Sequence, residues 1–165
     1  MQRIEYMNPK LDRADWPGGP WDLEPDKIQW QDKKTGLPCL IVRNHFGGLC
    51  GYVGVPHDHP FYEKDYKEVN DAGAPAHGGL TYANKCIDGP EDQTVCHLVE
   101  PGEDDDTWWL GFDCGHFMDV QPRMLAIEQQ FEMNLMPGST YKTVGYVEEH
   151  VRILARWLSK QRRKE

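Results

Sequence analysis

A chain of 165 residues is long enough for one buried core and short for two full domains. Its 27 acidic and 18 basic side chains leave a formal charge of −9, which repels nucleic acid and anionic membranes at long range and argues against non-specific binding to either. Only 39% of the residues are apolar, but six Trp, seven Tyr and five Phe supply the bulk for a folded centre with polar ends.

Residues 1–34 are rich in Pro, Gly, Asp and Trp, and PGGP at Pro17–Pro20 disfavours regular structure. They predict an irregular arm whose Trp16, Trp21 and Trp30 plug onto a domain at 35–160 or form a homo-oligomer contact. The opening MQRIEYMNPKLDRADW holds no apolar leader stretch. Cys39, Cys50, Cys86, Cys96 and Cys114 are odd in number and form no C-x-x-C pair. The expectation is five reduced thiols in a soluble, cytoplasmic protein without a structural zinc finger.

After the turn signal Thr35–Gly36, Leu37–Val42 (LPCLIV) reads as a strand and Asn44–Gly48 as a turn. Leu49–Val55 (LCGYVGV) reads as the return strand, where Gly51 and Gly54 mark a bulge or a close approach by another element. Pro56–Pro60 (PHDHP) is expected to be extended, projecting His57 and His59 to one side at a spacing that suits a single metal ion; a solvated loop is the competing reading. Phe61–Asn70 has its apolar residues at helix-like intervals. In His77–Tyr82 (HGGLTY), Gly78 and Gly79 let the main chain turn or offer N–H donors to an anion before a strand at Leu80–Ala83, although the lysine and Ser/Thr of a phosphate loop are missing.

Val95–Val99 suits a strand, and Glu100–Asp106 reads as a solvated acidic turn. Thr107–Asp113 then alternates Trp108, Leu110 and Phe112 against Trp109, Gly111 and Asp113, as a core strand would. Gly115 breaks it, leaving Asp113, Cys114, His116 and Asp119 at the strand mouth, where turns commonly carry ligands or catalysts. Arg123–Leu135 is tolerant of helix and stops at Pro137-Gly138. From about Gly145 to Lys160, Val147, Val151, Leu154 and Leu158 recur at helical spacing, an amphipathic helix for covering a sheet; 161–165 is a basic tail. The sum is an α+β single domain with a mainly antiparallel sheet of about five strands and a C-terminal amphipathic helix packed on it.

Gly51–Pro56 (GYVGVP), His59-Pro60, His77–Tyr82 (HGGLTY) and Trp108–His116 (WWLGFDCGH) with Asp119 together resemble an uncharacterised family of small proteins from tailed phages and phage-bearing bacteria. The likeness covers Leu37–Asp119 and the helical tail. It implies an intracellular phage or prophage setting and carries no catalytic role with it.

Three functions follow from the residues. The first is a pocket for a small polar or anionic ligand, such as a nucleotide-like metabolite, held directly or through a divalent metal and lined by His77, Gly78, Gly79, Tyr82, Trp109, Asp113 and His116. The second is a metal-dependent hydrolase with Zn, Mn or Fe held by His57, His59, His77, Asp113 and His116, and with Asp119 as general base or as the carboxylate orienting His116. Within that reading a Cys114 nucleophile paired with His116 ranks lower. The third is a structural or host-protein-inhibiting protein with no ligand pocket.

Overall fold

A computed structural model describes residues 2–87, 89–97, 106–132 and 136–162. Among these, β1 (Ile4–Tyr6), β2 (Lys27–Gln31), β3 (Pro38–Arg43), β4 (Leu49–Val55), β5 (Tyr82–Lys85) and β6 (Trp108–Asp113) form one sheet in the order β1-β2-β3-β4-β6-β5, antiparallel throughout. The helices are α1 (Tyr66–Asp71), α2 (Pro122–Gln130) and α3 (Val144–Arg162), with a 3₁₀ turn at Pro20–Leu23. The α+β single domain expected from the sequence is present, with six strands rather than five. No described helix is long and apolar enough to cross a membrane.

The additional strands come from the segment expected to be an irregular arm. Ile28 pairs with Ile41 and Trp30 with Cys39, so β2 is integral to the sheet, and β1 edges it. Composition concealed this because Lys27 and Gln29 alternate with Ile28 and Trp30, yet all four are buried. One face receives α3 and the other a second layer. The Lys27 ammonium, brought inside by that layer, donates to the carbonyls of Glu91 (2.5 Å) and Cys96 (2.9 Å), and burial lowers its pKa to about 8.

On the first face Val147, Val151, Leu154, Ala155 and Leu158 of α3 are fully buried against Ile41, Leu49, Val53 and Phe112. Each large aliphatic side chain contributes about 1.5–3 kcal/mol by leaving water. Gly51 makes the helix's approach possible, since a Cβ there would lie 2.6 Å from Phe112 Cζ and 2.6 Å from Val151 Cγ2. Of the two meanings its glycine allowed, close approach is the observed one. On the second face Leu40, Val42, Cys50, Tyr52 and Trp109 form a smaller core with Tyr82 and Val95.

The structure joins Cys86 to Cys96 in a disulfide with Cα atoms 4.9 Å apart, while Cys39, Cys50 and Cys114 are free and buried. The expectation of five reduced thiols is corrected: a turn in which Gln93 N–H and Thr94 N–H donate to Pro90 O (3.0 and 3.1 Å) lies between the two cysteines and accompanies their approach. Val95–His97 is not strand, and the remainder of the Val95–Val99 expectation and Glu100–Asp105 lie outside the described residues. The helix expected at Arg123–Leu135 runs over Pro122–Gln130 and turns at Phe131–Glu132; Met133–Leu135 lie outside the described residues.

Candidate functional site

Two short backbone pairings assemble a polar cluster at the mouth of β6. Val120 N–H donates to Thr140 O (2.9 Å) and Thr140 N–H to Met118 O (2.9 Å), which brings Lys142 beside Asp119. The turn leading to Asp119 holds Met118 at φ 77°, a left-handed conformation that a non-glycine residue adopts at an energetic cost. The Asp119 carboxylate is 1% exposed. It accepts from His77 Nε2 (2.8 Å), from the His116 backbone N–H (3.0 Å) and from Lys142 Nζ (2.9 Å).

Burial pushes the Asp119 pKa up, but the hydrogen bonds from His77, Lys142 and the His116 amide outweigh it, and the net shift is downward. An ionised Asp119 fixes the tautomer of His77. Nε2 carries the proton and donates, so Nδ1 is the acceptor facing the Tyr146 hydroxyl at 2.8 Å. Burial raises the Tyr146 pKa, which keeps that phenol protonated as the donor. Tyr146, His77 and Asp119 thus form a hydrogen-bonded chain from α3 to a buried anion.

Around this hydrogen-bonded chain lie two more imidazoles. His116 has its ring centroid 5.9 Å from that of His77, and His150 lies 6.1 Å from His77 and 4.3 Å from Tyr146. Burial and the nearby His77 lower the His150 pKa. Gly78 explains the HGG sequence: its φ is +70°, and a Cβ there would collide with the His116 ring. Asp113 completes the group, its Oδ1 accepting Gly115 N–H (2.9 Å) and lying 3.4 Å from His116 Nε2, its Oδ2 accepting from Thr81 Oγ1 (2.9 Å).

The sequence-predicted residues therefore separate into two sets. His77, Gly78, Asp113, His116 and Asp119 come together. Gly79, at φ +85°, continues the same turn, but its N–H is bonded to Ala76 O (3.1 Å). Trp109 and Tyr82 do not join as a stacking platform, because strand alternation puts them in the second-face core, Trp109 fully buried and Tyr82 edge-on to Tyr52. Nor do His57 and His59. Pro56–Pro60 is a turn, with His59 N–H donating to Pro56 O (3.0 Å), so His57 is exposed beside Tyr62 while His59 is buried. His59 Nδ1 accepts from Phe61 N–H (3.0 Å) and Nε2 donates to Leu158 O (2.9 Å) at the far end of α3. Twelve residues of helix, about 18 Å, separate that point from Tyr146.

The five-residue metal set is thus not assembled, and among the described residues no three His, Cys, Asp or Glu side chains converge as a cation-holding group. Cys114 is 2% exposed and burial raises its thiol pKa far above neutrality, the opposite of what a nucleophile needs. Lys142, Tyr146 and His150 were missed by sequence reasoning. The available signal was Tyr146 and His150 one helical turn apart on the flank of the apolar stripe of α3.

No protein-family model matches this chain, and no curated protein or solved structure shows significant similarity to it.

Proposed function

We propose that the chain binds a small polar or anionic ligand at the cluster of His77, His116, Lys142 and His150. The observation that carries this reading is the grouping of three imidazoles about His77, with the His77 ring and the Lys142 ammonium both on the buried Asp119 carboxylate, at the mouth of β6. With Asp119 already saturated by hydrogen bonds and the Lys142 ammonium held by Asp119 (2.9 Å) and Thr140 O (3.0 Å), the partly exposed His116 and His150 are the groups left to meet a phosphate or carboxylate, with Lys142 adding its charge nearby. Binding is direct rather than through Zn, Mn or Fe, since both nitrogens of His77 are committed to Tyr146 and Asp119. The phage or prophage setting rests on the resemblance of the motifs, and a cytoplasmic location on that setting.

A second reading, hydrolytic or other acid–base catalysis, is favoured by one feature, the Tyr146–His77–Asp119 hydrogen-bonded chain, in which Asp119 orients His77 as the base. It needs no new residues, only a substrate presented to Tyr146.

Adenosine monophosphate titrated into the full chain, followed by calorimetry and by ¹H–¹⁵N spectra, tests the binding proposal. Saturable shifts at His77, Gly78, His116 and Lys142 are expected. His116→Ala should weaken binding by about tenfold, the loss of one charge-assisted hydrogen bond, with little change in melting temperature. Equal affinity in the variant, or no saturation, removes the proposal. Release of adenosine and phosphate during the titration, abolished by His77→Gln, would select the catalytic reading.

A further inference from the structure

We infer that the cleft between β2, its following turn and the outer flank of α3 is a second anion site, built for a small molecule bearing two or more phosphate charges. The cleft has a volume of about 500 Å³ and is lined by Arg3, Trp30, Lys33, Lys34, Arg152 and Arg156. A chain with a net charge of −9 here gathers five cations, and the one carboxylate among the described residues lining the same cleft, Asp32, already accepts from Thr35 N–H (3.0 Å) and Thr35 Oγ1 (2.7 Å). Concentrating like charges costs free energy unless a counter-charge is supplied, so the arrangement is complementary to a polyanion.

Each element contributes for a definable reason. Arg152 and Arg156 are one turn apart on α3 and project to the same flank. Lys33 and Lys34 stand exposed on the tight turn that Asp32 stabilises, at the edge of the cleft they line. Arg3 lies with its guanidinium 5.6 Å from the Trp30 ring. Glu148 partly neutralises Arg3 and Arg152, and Glu5 also pairs with Arg3 (3.3 Å), whereas Lys33, Lys34 and Arg156 have no ion pair among the described residues. Trp30, 7% exposed, carries an indole N–H with no hydrogen-bond partner among the described residues. The guanidinium forks suit terminal phosphate oxygens and the two lysines supply point charges for a second phosphate. The site is distinct from the histidine cluster, which lies on the other flank of α3, where Tyr146 and His150 face His77 and Phe112.

Inorganic pyrophosphate titrated into the full chain at neutral pH, read by ¹H–¹⁵N spectra, tests the inference. Saturable shifts are expected at Lys33, Lys34, Arg152 and Arg156. The double variant Lys34→Glu/Arg156→Glu, altered at exposed positions only and expected to melt as the parent does, should bind about tenfold or more weakly. Shifts that fail to saturate, affinity unchanged in the double variant, or shifts centred on His77 and His116 instead would each overturn the second site. A short oligothymidylate that binds more tightly than pyrophosphate, with a steep salt dependence, would overturn the small-molecule assignment in favour of nucleic acid. Because the histidine-cluster residues are untouched, adenosine monophosphate binding there is scored separately in the same variant.

Discussion

Asp119 shows how one side chain converts a loop into a site. It is nearly inaccessible, it is ionised, and it fastens three segments through His77, the His116 amide and Lys142. Asp119→Asn should lower folding stability by about 2–4 kcal/mol, since it leaves buried donors without a charged acceptor, measured as urea unfolding at neutral pH. The sign of the pH effect follows from the depressed folded pKa. The contribution is complete above the carboxylate's unfolded value of about 3.9 and is lost as pH falls through the lower folded value. The wild-type chain should therefore lose stability below about pH 4 by more than the variant does. Parallel acid-limb profiles for the two would remove Asp119 as an ionised anchor.

At the scale of elements, α3 is governed by residues far from it in sequence. Glu24, from the segment preceding β2, accepts from Val144 N–H (2.6 Å) and from the Tyr141 hydroxyl (2.6 Å), satisfying an orphan donor at the first turn of the helix. Tyr141 in turn accepts from Arg43 Nη1 (2.7 Å), whose Nε donates to buried Asp26 (2.9 Å). The N-terminal segment thus sets where α3 begins, and through it where Tyr146 and His150 stand. Glu24→Ala should cost about 1–2 kcal/mol, the range for losing a helix cap, and should speed amide exchange in the first turn of α3. Leu23→Ala, at a side chain 95% exposed beside it, should leave both unchanged. Equal exchange rates in the two variants would mean that the cap does not hold the helix.

For the whole molecule, the covering of the second face by 86–97 decides the acid response. His97, within that layer, bonds to the sheet through Nε2, 2.9 Å from the Cys39 carbonyl, its Nδ1 having no hydrogen-bond partner among the described residues, and it is packed on Trp109 with ring centroids 5.0 Å apart. Facing a carbonyl, Nε2 must carry the proton and donate. Burial lowers the His97 pKa from 6.5 to about 4, helped by the nearby Lys27 charge. The unfolded chain then binds more protons than the folded one between those values, so stability is full above about pH 6.5 and falls as pH drops toward about 4. The drop attributable to His97 is on the order of 3 kcal/mol. His97→Gln, which keeps a donor, should flatten the profile across that window in thermal melts. A variant that follows the parent's pH curve would show the layer to be open to water.

The amino-acid sequence by itself determined the elements whose signal is local: β3, β4, β6 and α3 could be read from apolar periodicity, and the HGG and DCGH turns from glycine placement. His77, Gly78, Asp113, His116 and Asp119 were legible as one candidate group because each sits beside a strand mouth or a glycine turn. Only the tertiary structure decided that β1 and β2 join the sheet, because the short alternation of Lys27–Gln31 follows a Pro/Gly-rich stretch and its polar residues Lys27 and Gln29 are buried by a second layer that the local pattern does not announce. It also decided that His59 closes the far end of α3, that Trp109 is core, and that Lys142, Tyr146 and His150 complete the site. These placements depend on which faces meet across long stretches of chain, and periodicity along a single segment carries no information about that.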